Sequence, residues 1–550
     1  MTTPTPTVDA CLAAWQEGHA AARIWERDPT FWPEAAADSV ASRLGWLDLP
    51  GNSSERVGEW ELFAEVIRDE GFRYAVVLGM GGSSLAPSLF SRAFASARRP
   101  LELRILDLVH PEAVRGIVPA GELGRTLFLV SSKSGTTLEP NAMFHYFWSQ
   151  VALASPQPGR QFVAITDPGT PLAELARHRH FRRCFEAPAS VGGRYSALSA
   201  FGLVPAALVG ADLERILASA RTMARSCGAA VPAAENPGLR LGAWLGTLAR
   251  AGRDKLTVVA APPWEGFPEW VEQLVAESTG KRGRGIIPIA GEIDPFATDG
   301  ASDRLLIVLE SADRIDGPQE ERLARAATVG IPSLRFSLAA PEELGGEFFR
   351  WEFAVAAAGS LLGIDPFDQP DVEIAKELAR AALRPPGPTA RPAPAEEVVD
   401  AGSGTTLERA VRGWRELLRP EDYVAIQAYL PGDAATAAQL LELRRALRER
   451  FGRPTTLGLG PRFLHSTGQL HKGGPPNGLY LQIRDRPRTD LTVPGLGLTF
   501  ARILAAQAAG DAEALREKGR RLLVVDVGED RGRGLEALTE AIRAGTGPRM

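Results

Sequence analysis

Four short apolar runs constrain the fold of this chain more than any other feature. Tyr74-Ala75-Val76-Val77-Leu78, Leu101 to Leu106, Leu127-Phe128-Leu129-Val130 and Gln161 to Ile165 each read as a buried strand, with helical patterns between them. Strands that alternate with helices build βαβ units and hence a parallel sheet. Residues 51–215 are therefore expected to form one doubly wound α/β domain. A second alternating series runs from Leu256-Thr257-Val258-Val259-Ala260 through Arg304 to Leu309 and Ser333 to Phe336. It places a second domain of the same rhythm at 216–384.

The remaining stretches divide by composition. Residues 1–50 read as a helical N-terminal segment, whose Trp15, Trp25, Trp32 and Trp46 suggest short amphipathic helices packed on a neighbouring domain. Residues 385–400 are rich in proline and read as a linker, since proline supports neither helix nor central strand. Beyond it, 401–550 form a third, smaller α/β segment with strands at Tyr423 to Leu430, Thr455 to Leu459, Leu479 to Ile483 and Leu522 to Val527. The fold class is α/β.

Charge and cysteine usage exclude several function classes. The net charge, 62 − 67 = −5, favours neither nucleic acid nor an anionic membrane. Cys11, Cys184 and Cys227 have neither metal nor redox spacing, which fits a reducing cytoplasm. No secretory signal and no run of ~18 apolar residues is visible, so a soluble cytoplasmic protein is expected.

The most informative loop is Ser131-Ser132-Lys133-Ser134-Gly135-Thr136-Thr137-Leu138-Glu139, at the carboxyl end of the third strand. Ligands bind at that end of an open α/β sheet, where the next helix offers N–H groups to an anion. The loop reads as a phosphate cradle or as a Ser/Thr-rich helix cap. Gly79-Met80-Gly81-Gly82-Ser83-Ser84, after the first strand, lacks the third glycine of a dinucleotide fingerprint. It serves equally well as a backbone-exposing wall of a sugar-phosphate pocket. In Val191-Gly192-Gly193-Arg194-Tyr195-Ser196, two glycines give Arg194 room to enter a tight cleft and stabilise negative charge, or simply form a surface turn.

Trp270, Leu274 and Glu277 share a helical stripe ending at Gly280. Apolar neighbours would disfavour the charged carboxylate of Glu277 and suit it to general-base work. The same spacing also fits an amphipathic helix that ends in an acid. In Phe367-Asp368-Gln369-Pro370-Asp371-Val372-Glu373-Ile374-Ala375-Lys376, Gln369 and Lys376 are the polar groups able to reach a pocket. The loop His465-Ser466-Thr467-Gly468-Gln469-Leu470-His471-Lys472-Gly473-Gly474 holds the only histidines beyond His180. It reads as a proton-transfer element or as a Gly-rich surface turn.

Taken in order, these motifs resemble those of the glucose-6-phosphate isomerases. Gly79 to Leu85, Ser132 to Glu139, Val191 to Ser196, Gln273 to Lys281 and Gly359 to Lys376 are similar to that family's successive signatures and span about 75–380. Residues 1–50 and 400–550 resemble the isomerase half of bacterial proteins in which transaldolase is fused to this enzyme, and no stretch is left for the transaldolase barrel itself.

The resemblance implies two sugar-isomerase (SIS) type domains, no metal or cofactor, and interconversion of glucose 6-phosphate and fructose 6-phosphate through a cis-enediol. By it, Glu277 moves the proton between C1 and C2, and Arg194 stabilises the enediol's charge. Ser132, Lys133, Ser134, Thr136 and Thr137 hold the phosphate beside Gly81, Gly82 and Ser83. Lys376 assists ring opening, with Gln369 nearby. A hexose 6-phosphate substrate and a homodimer are expected, with neither nucleic acid nor membrane as partner. The alternatives are a dual phosphoglucose/phosphomannose isomerase and a non-catalytic sugar-phosphate-binding protein of the same domain type.

The sequence departs from the family at three places. Thr279 replaces the usual Asn, and Asp371 stands where Gly or Ala is typical. The family's ring-opening histidine lies between the base and the lysine motif, yet residues 277–376 contain no histidine. His471, with His465 as the other choice, is expected to supply that function from the third segment.

Overall fold

In the first sheet, the two central strands are buried along almost their whole length, as strands covered by helices on both faces must be. These are β1 (Tyr74–Gly79) and β3 (Thr126–Ser131). With β2 (Glu102–Leu106), β4 (Phe162–Thr166) and β5 (Arg183–Glu186) they form a parallel sheet in the order β2-β1-β3-β4-β5. The chain leaves β1 towards one side and returns to β3 on the other. The crevice between these two strands is thus a topological switch point. Gly79 pairs with Ser131, so the glycine loop and the Ser/Thr loop leave the sheet side by side. The computed structural model describes residues 7–95, 100–292, 302–312, 317–383 and 397–544.

The second sheet, also parallel, has the order β7-β6-β8-β9, with β6 (Lys255–Ala260), β7 (Ile287–Ala290), β8 (Arg304–Ser311) and β9 (Ser333–Leu338). The third has the order β10-β16-β13-β11-β12, all parallel. Its strands are β10 (Val399–Asp400), β11 (Tyr423–Tyr429), β12 (Thr455–Leu459), β13 (Gly478–Arg484) and β16 (Arg521–Asp526). A two-stranded antiparallel ribbon, β14 (Thr492–Val493) and β15 (Leu498–Thr499), accompanies it. Two doubly wound sheets and a third α/β unit are the architecture expected from the alternating pattern. Most of the proline-rich stretch at 385–400 lies outside the described residues.

Alternation along β1 decides what each face meets. Ala75 and Val77 join a core shared with Trp15, Trp32, Trp46 and the second lobe's Phe349 and Phe353. The N-terminal tryptophans are anchored there: Trp32 Nε1 donates to Ala356 O at 2.7 Å and Trp25 Nε1 to Cys227 O at 2.8 Å. Val76 and Leu78 face the opposite way, into a core with Phe144 and Phe147 that takes in Tyr429, Phe463, Phe500 and Ile503 of the third lobe. The third lobe also keeps a core of its own around Ile426, Leu443 and Leu481. It therefore docks on the first sheet by a shared apolar interface. No described helix is long and apolar enough to cross a membrane.

Candidate active site

A cavity of about 630 Å³ opens where the three lobes meet, and the switch point of the first sheet forms its floor. Gly81, Gly82 and Ser83 line one side. The close approach explains the second glycine: a Cβ on Gly82 would fall 2.0 Å from the Gly193 carbonyl oxygen. The glycine motifs before Ser83 and before Arg194 therefore pack backbone against backbone.

Ser132, Lys133, Ser134, Thr136 and Thr137 line the floor. Their hydroxyls are paired with one another, Ser132 Oγ with Thr137 Oγ1 at 3.0 Å and Ser134 Oγ with Thr136 Oγ1 at 2.9 Å. α1 (Leu138–Ala154) starts directly behind them, and its N-cap Thr137 makes no side-chain cap bond. Uncharged donors and a helix N-terminus facing one cavity suit a dianionic phosphate. Lys133 is turned aside: it forms an ion pair with Asp167 and donates to Ala189 O at 3.1 Å. Burial pushes the Asp167 carboxyl up, against the pull of that lysine.

Glu277 enters from the last turn of α2 (Phe267–Thr279). Here the structure corrects the sequence reading. Trp270 and Leu274 are buried in the core, whereas the Glu277 carboxylate meets polar groups. Its Oε1 lies 3.0 Å from Arg194 Nη1, and its Oε2 accepts from Gln273 Nε2 at 3.1 Å. A cation and an amide, rather than apolar rings, set its environment.

Arg194 is 2% exposed, and its fork is fully used. Nε donates to Ser278 Oγ at 2.7 Å, and Nη1 to Gln369 Oε1 at 2.9 Å. Nη2 donates to Pro366 O at 2.7 Å and Asp368 O at 3.0 Å. Lys281 reaches the same loop, with Nζ donating to Asp365 O and, at 2.6 Å, to Asp368 O. It also pairs with Asp368 Oδ1 at 2.8 Å. Burial, and then the neighbouring Arg194 charge, bring the Lys281 pKa down to about 8. Two cations thus fix the backbone that presents Gln369 to the cavity.

The two histidines of the third lobe part company. His465 ends the turn Arg462–His465 and lines the cavity. Its Nε2 shares a 2.9 Å hydrogen bond with Glu139 Oε1 on α1, and its backbone carbonyl accepts from Gln273 Nε2 at 2.9 Å. Glu139 also accepts a bond from Gln507 Nε2. Burial pushes this carboxyl up, but the charge and hydrogen bond of His465 outweigh it and hold the carboxyl below its usual range. His471, in contrast, does not line the cavity. It sits on α5 (Gly468–Gly473), 4% exposed, with Nδ1 at 3.0 Å from Gln427 Nε2 and its ring against Tyr480 and Phe463. Burial, then the Lys472 and Arg520 charges, push its pKa well below the ordinary histidine value, so it is neutral. The expectation for His471 is corrected on this geometry: it faces the third sheet.

Lys376 lies on α4 (Val372–Leu383), and its side chain is outside the described residues. Thr279 does not line the cavity: its hydroxyl donates to Val275 O at 2.8 Å and accepts from the Ile286 N–H at 2.9 Å. No sequence motif marks Ser42 and Arg43 of the N-terminal segment or Gln507, all of which line the cavity. Glu139 was visible as the end of the Ser/Thr loop, but its histidine partner was not.

Known proteins place this arrangement. The family described as phosphoglucose isomerase matches residues 55–286. A glucose-6-phosphate isomerase of a Synechococcus strain is 29% identical over 432 residues, covering 68% of this chain and 77% of that one. The glucose-6-phosphate isomerase of Rubrobacter xylanophilus is 29% identical over 391 residues, covering 62% and 90%. Among solved structures, a hypothetical protein from Thermus thermophilus superposes with a TM-score of 0.58 at 26% identity, over 68% of this chain and 96% of that one. A glucose-6-phosphate isomerase from Chlamydia trachomatis shares the fold, with a TM-score of 0.53 at 22% identity over 66% and 78%. Across its first two lobes, this chain is similar to the glucose-6-phosphate isomerases.

Proposed function

We propose that the protein is an aldose–ketose isomerase that interconverts glucose 6-phosphate and fructose 6-phosphate. The observation that carries this reading is Glu277 on the wall of a cavity floored by the Ser/Thr loop, with the buried Arg194 guanidinium 3.0 Å from its carboxylate. A phosphate held by Ser132, Ser134, Thr136 and Thr137 fixes one end of the sugar. Orientation then brings C1 and C2 to the carboxylate. From the aldose, Glu277 removes the C2 proton and the electron pair becomes the C1=C2 bond of a cis-enediol. The positive charge of Arg194, buried 3.0 Å from the carboxylate, favours the negative charge that develops on the sugar oxygen. A proton passes from the C2 hydroxyl to O1, and return of the abstracted proton to C1 as the carbonyl re-forms at C2 gives the ketose.

Ring opening requires a proton to move between the anomeric hydroxyl and the ring oxygen. His465, oriented by Glu139, is the histidine on the cavity wall and takes this role with Lys376. A sugar-phosphate-binding protein would need the Ser/Thr floor but neither Glu277 nor Arg194. The reading is tested by incubating the protein with fructose 6-phosphate in deuterium oxide. Deuterium should appear at C2 of glucose 6-phosphate with wild type, whereas Glu277→Gln should slow the exchange by about 10²–10⁴-fold. Exchange that survives in Glu277→Gln removes Glu277 as the base, and no turnover in wild type removes the enzyme reading.

A further inference from the structure

Asp371 immediately precedes the helix that carries Lys376, and the structure shows what meets it. Gln469 of α5, fully buried, makes a two-way bond with it. The Asp371 N–H donates to Gln469 Oε1 at 2.9 Å, and Gln469 Nε2 donates to Asp371 Oδ2 at 2.8 Å. The same Nε2 donates to Gly280 O at 3.0 Å, at the C-terminus of α2 three residues beyond Glu277. Asp371 Oδ1 is paired with Lys518 Nζ at 2.6 Å, at the end of α6 (Phe500–Glu517). The approach is tight enough to demand glycine: a Cβ on Gly473 would fall 2.3 Å from Asp371 Oδ2 and 2.8 Å from Gly280 O. Gly473 O in turn accepts from the Gly283 N–H at 2.8 Å.

We infer that Gln469 and Asp371 are positioning residues of the isomerase site, through which the third lobe sets the geometry between the base and the Gln369 loop. This rests on the function proposed above. The loop from Asp365 to Asp371 is held at its front by Arg194 and Lys281 and at its back by Gln469, with Lys518 pairing the outer oxygen of Asp371. Asp371 immediately precedes α4, so fixing its N–H fixes the start of the helix that carries Lys376. Because Gln469 also holds Gly280, a single amide spans the two elements whose separation the chemistry depends on. None of these three groups touches the cavity, so their effect is on placement.

The test uses the full chain and initial rates with fructose 6-phosphate. Wild type is measured first: an inactive wild type overturns the function reading, whereas an active one lets the positioning be judged separately. Gln469→Glu sets a carboxylate against Asp371 Oδ2 and Gly280 O. It should lower kcat by about 100-fold, the scale of a misplacement near 1 Å. KM should hold, because the phosphate floor belongs to the first lobe. Asp371→Asn keeps an acceptor for Gln469 Nε2 and gives up only the partly exposed pair with Lys518, so it should stay within about threefold of wild type. Should Gln469→Glu not fold, Gln469→Met removes all three bonds without adding charge and is read for the same split, a lower kcat at constant KM. A folded Gln469 variant with wild-type kcat overturns the proposal. So does an Asp371→Asn variant as slow as Gln469→Glu.

Discussion

His465 and Glu139 lie 326 positions apart in the chain, and their side chains meet at 2.9 Å on the wall of one cavity. The pair joins the third lobe to the first helix behind the phosphate floor. The stretch between Glu277 and Lys376 contains no histidine, and His465 is the histidine that lines the cavity among the described residues. Gln507, from α6 of the same lobe, completes the cluster.

The first prediction separates the two histidines. His465→Ala should slow turnover of cyclic hexose phosphate by about 10²-fold, the usual contribution of one general acid or base. Deuterium exchange into the open-chain sugar should be affected much less. His471→Ala should lower the melting temperature, because it empties a packed site and leaves Gln427 without its partner, yet its folded fraction should isomerise normally. Loss of cyclic-substrate turnover in His471→Ala but not in His465→Ala would reverse the assignment.

The choice between these histidines shows where sequence reasoning stops. The strands were legible because buried parallel strands are continuous apolar runs, and the Ser/Thr loop because it follows such a strand directly. Arg194 and Glu277 stood out through glycine and helix spacing, which are local properties. What Glu277 faces was not local: the stripe of Trp270 and Leu274 turns into the core, while a guanidinium 83 positions away in the chain arrives on the other side. His465 and His471 are six residues apart in a loop that reads as a surface turn. Only the docking of the third lobe on the first decides which of them faces substrate.

Arg194→Lys should cost more than its conserved charge suggests. An ammonium cannot reproduce the planar fork that serves Ser278, Gln369, Pro366 and Asp368 together. The expected result is a loss of about 10²–10³-fold in kcat. A lower melting temperature should accompany it, since buried carbonyls lose their donors. Steady-state kinetics and a thermal melt on the same preparation check both.

The pH profile should carry the mark of Lys281. Its charged form holds Asp365, Asp368 and hence the Gln369 loop, and its pKa is brought down to about 8. Activity should fall as pH rises through about 8, with the slope of one proton. Stability should move the other way. The unfolded lysine keeps its proton to a higher pH, so between these two pKa values the unfolded state binds more protons and rising pH favours the fold. Lys281→Met should be slow at every pH and lack this alkaline limb.

Glu352 offers a stability test far from the chemistry. It is fully buried on α3 (Leu344–Leu362), and neither carboxyl oxygen has a hydrogen-bond partner among the described residues. Burial raises its pKa well above the ordinary carboxylate value. The folded state therefore keeps a proton that the unfolded chain releases, and this group's contribution to stability falls as pH rises above the ordinary range. Glu352→Met should stabilise the protein by about 2 kcal/mol at pH 8. The gain should shrink towards pH 4. Chemical denaturation at the two pH values measures the difference.

The docking of the third lobe also has a consequence for synthesis. A ribosome that has released residues 1–383 has delivered the phosphate floor, the base and the guanidinium, but not His465, Gln507 or the Gln469 link. Such a nascent chain, or one truncated in the following linker, would lack one wall of the cavity and the third-lobe half of the apolar core under the first sheet. On the proposed assignment, the full rate on cyclic substrate is reached only when the last third of the polypeptide arrives.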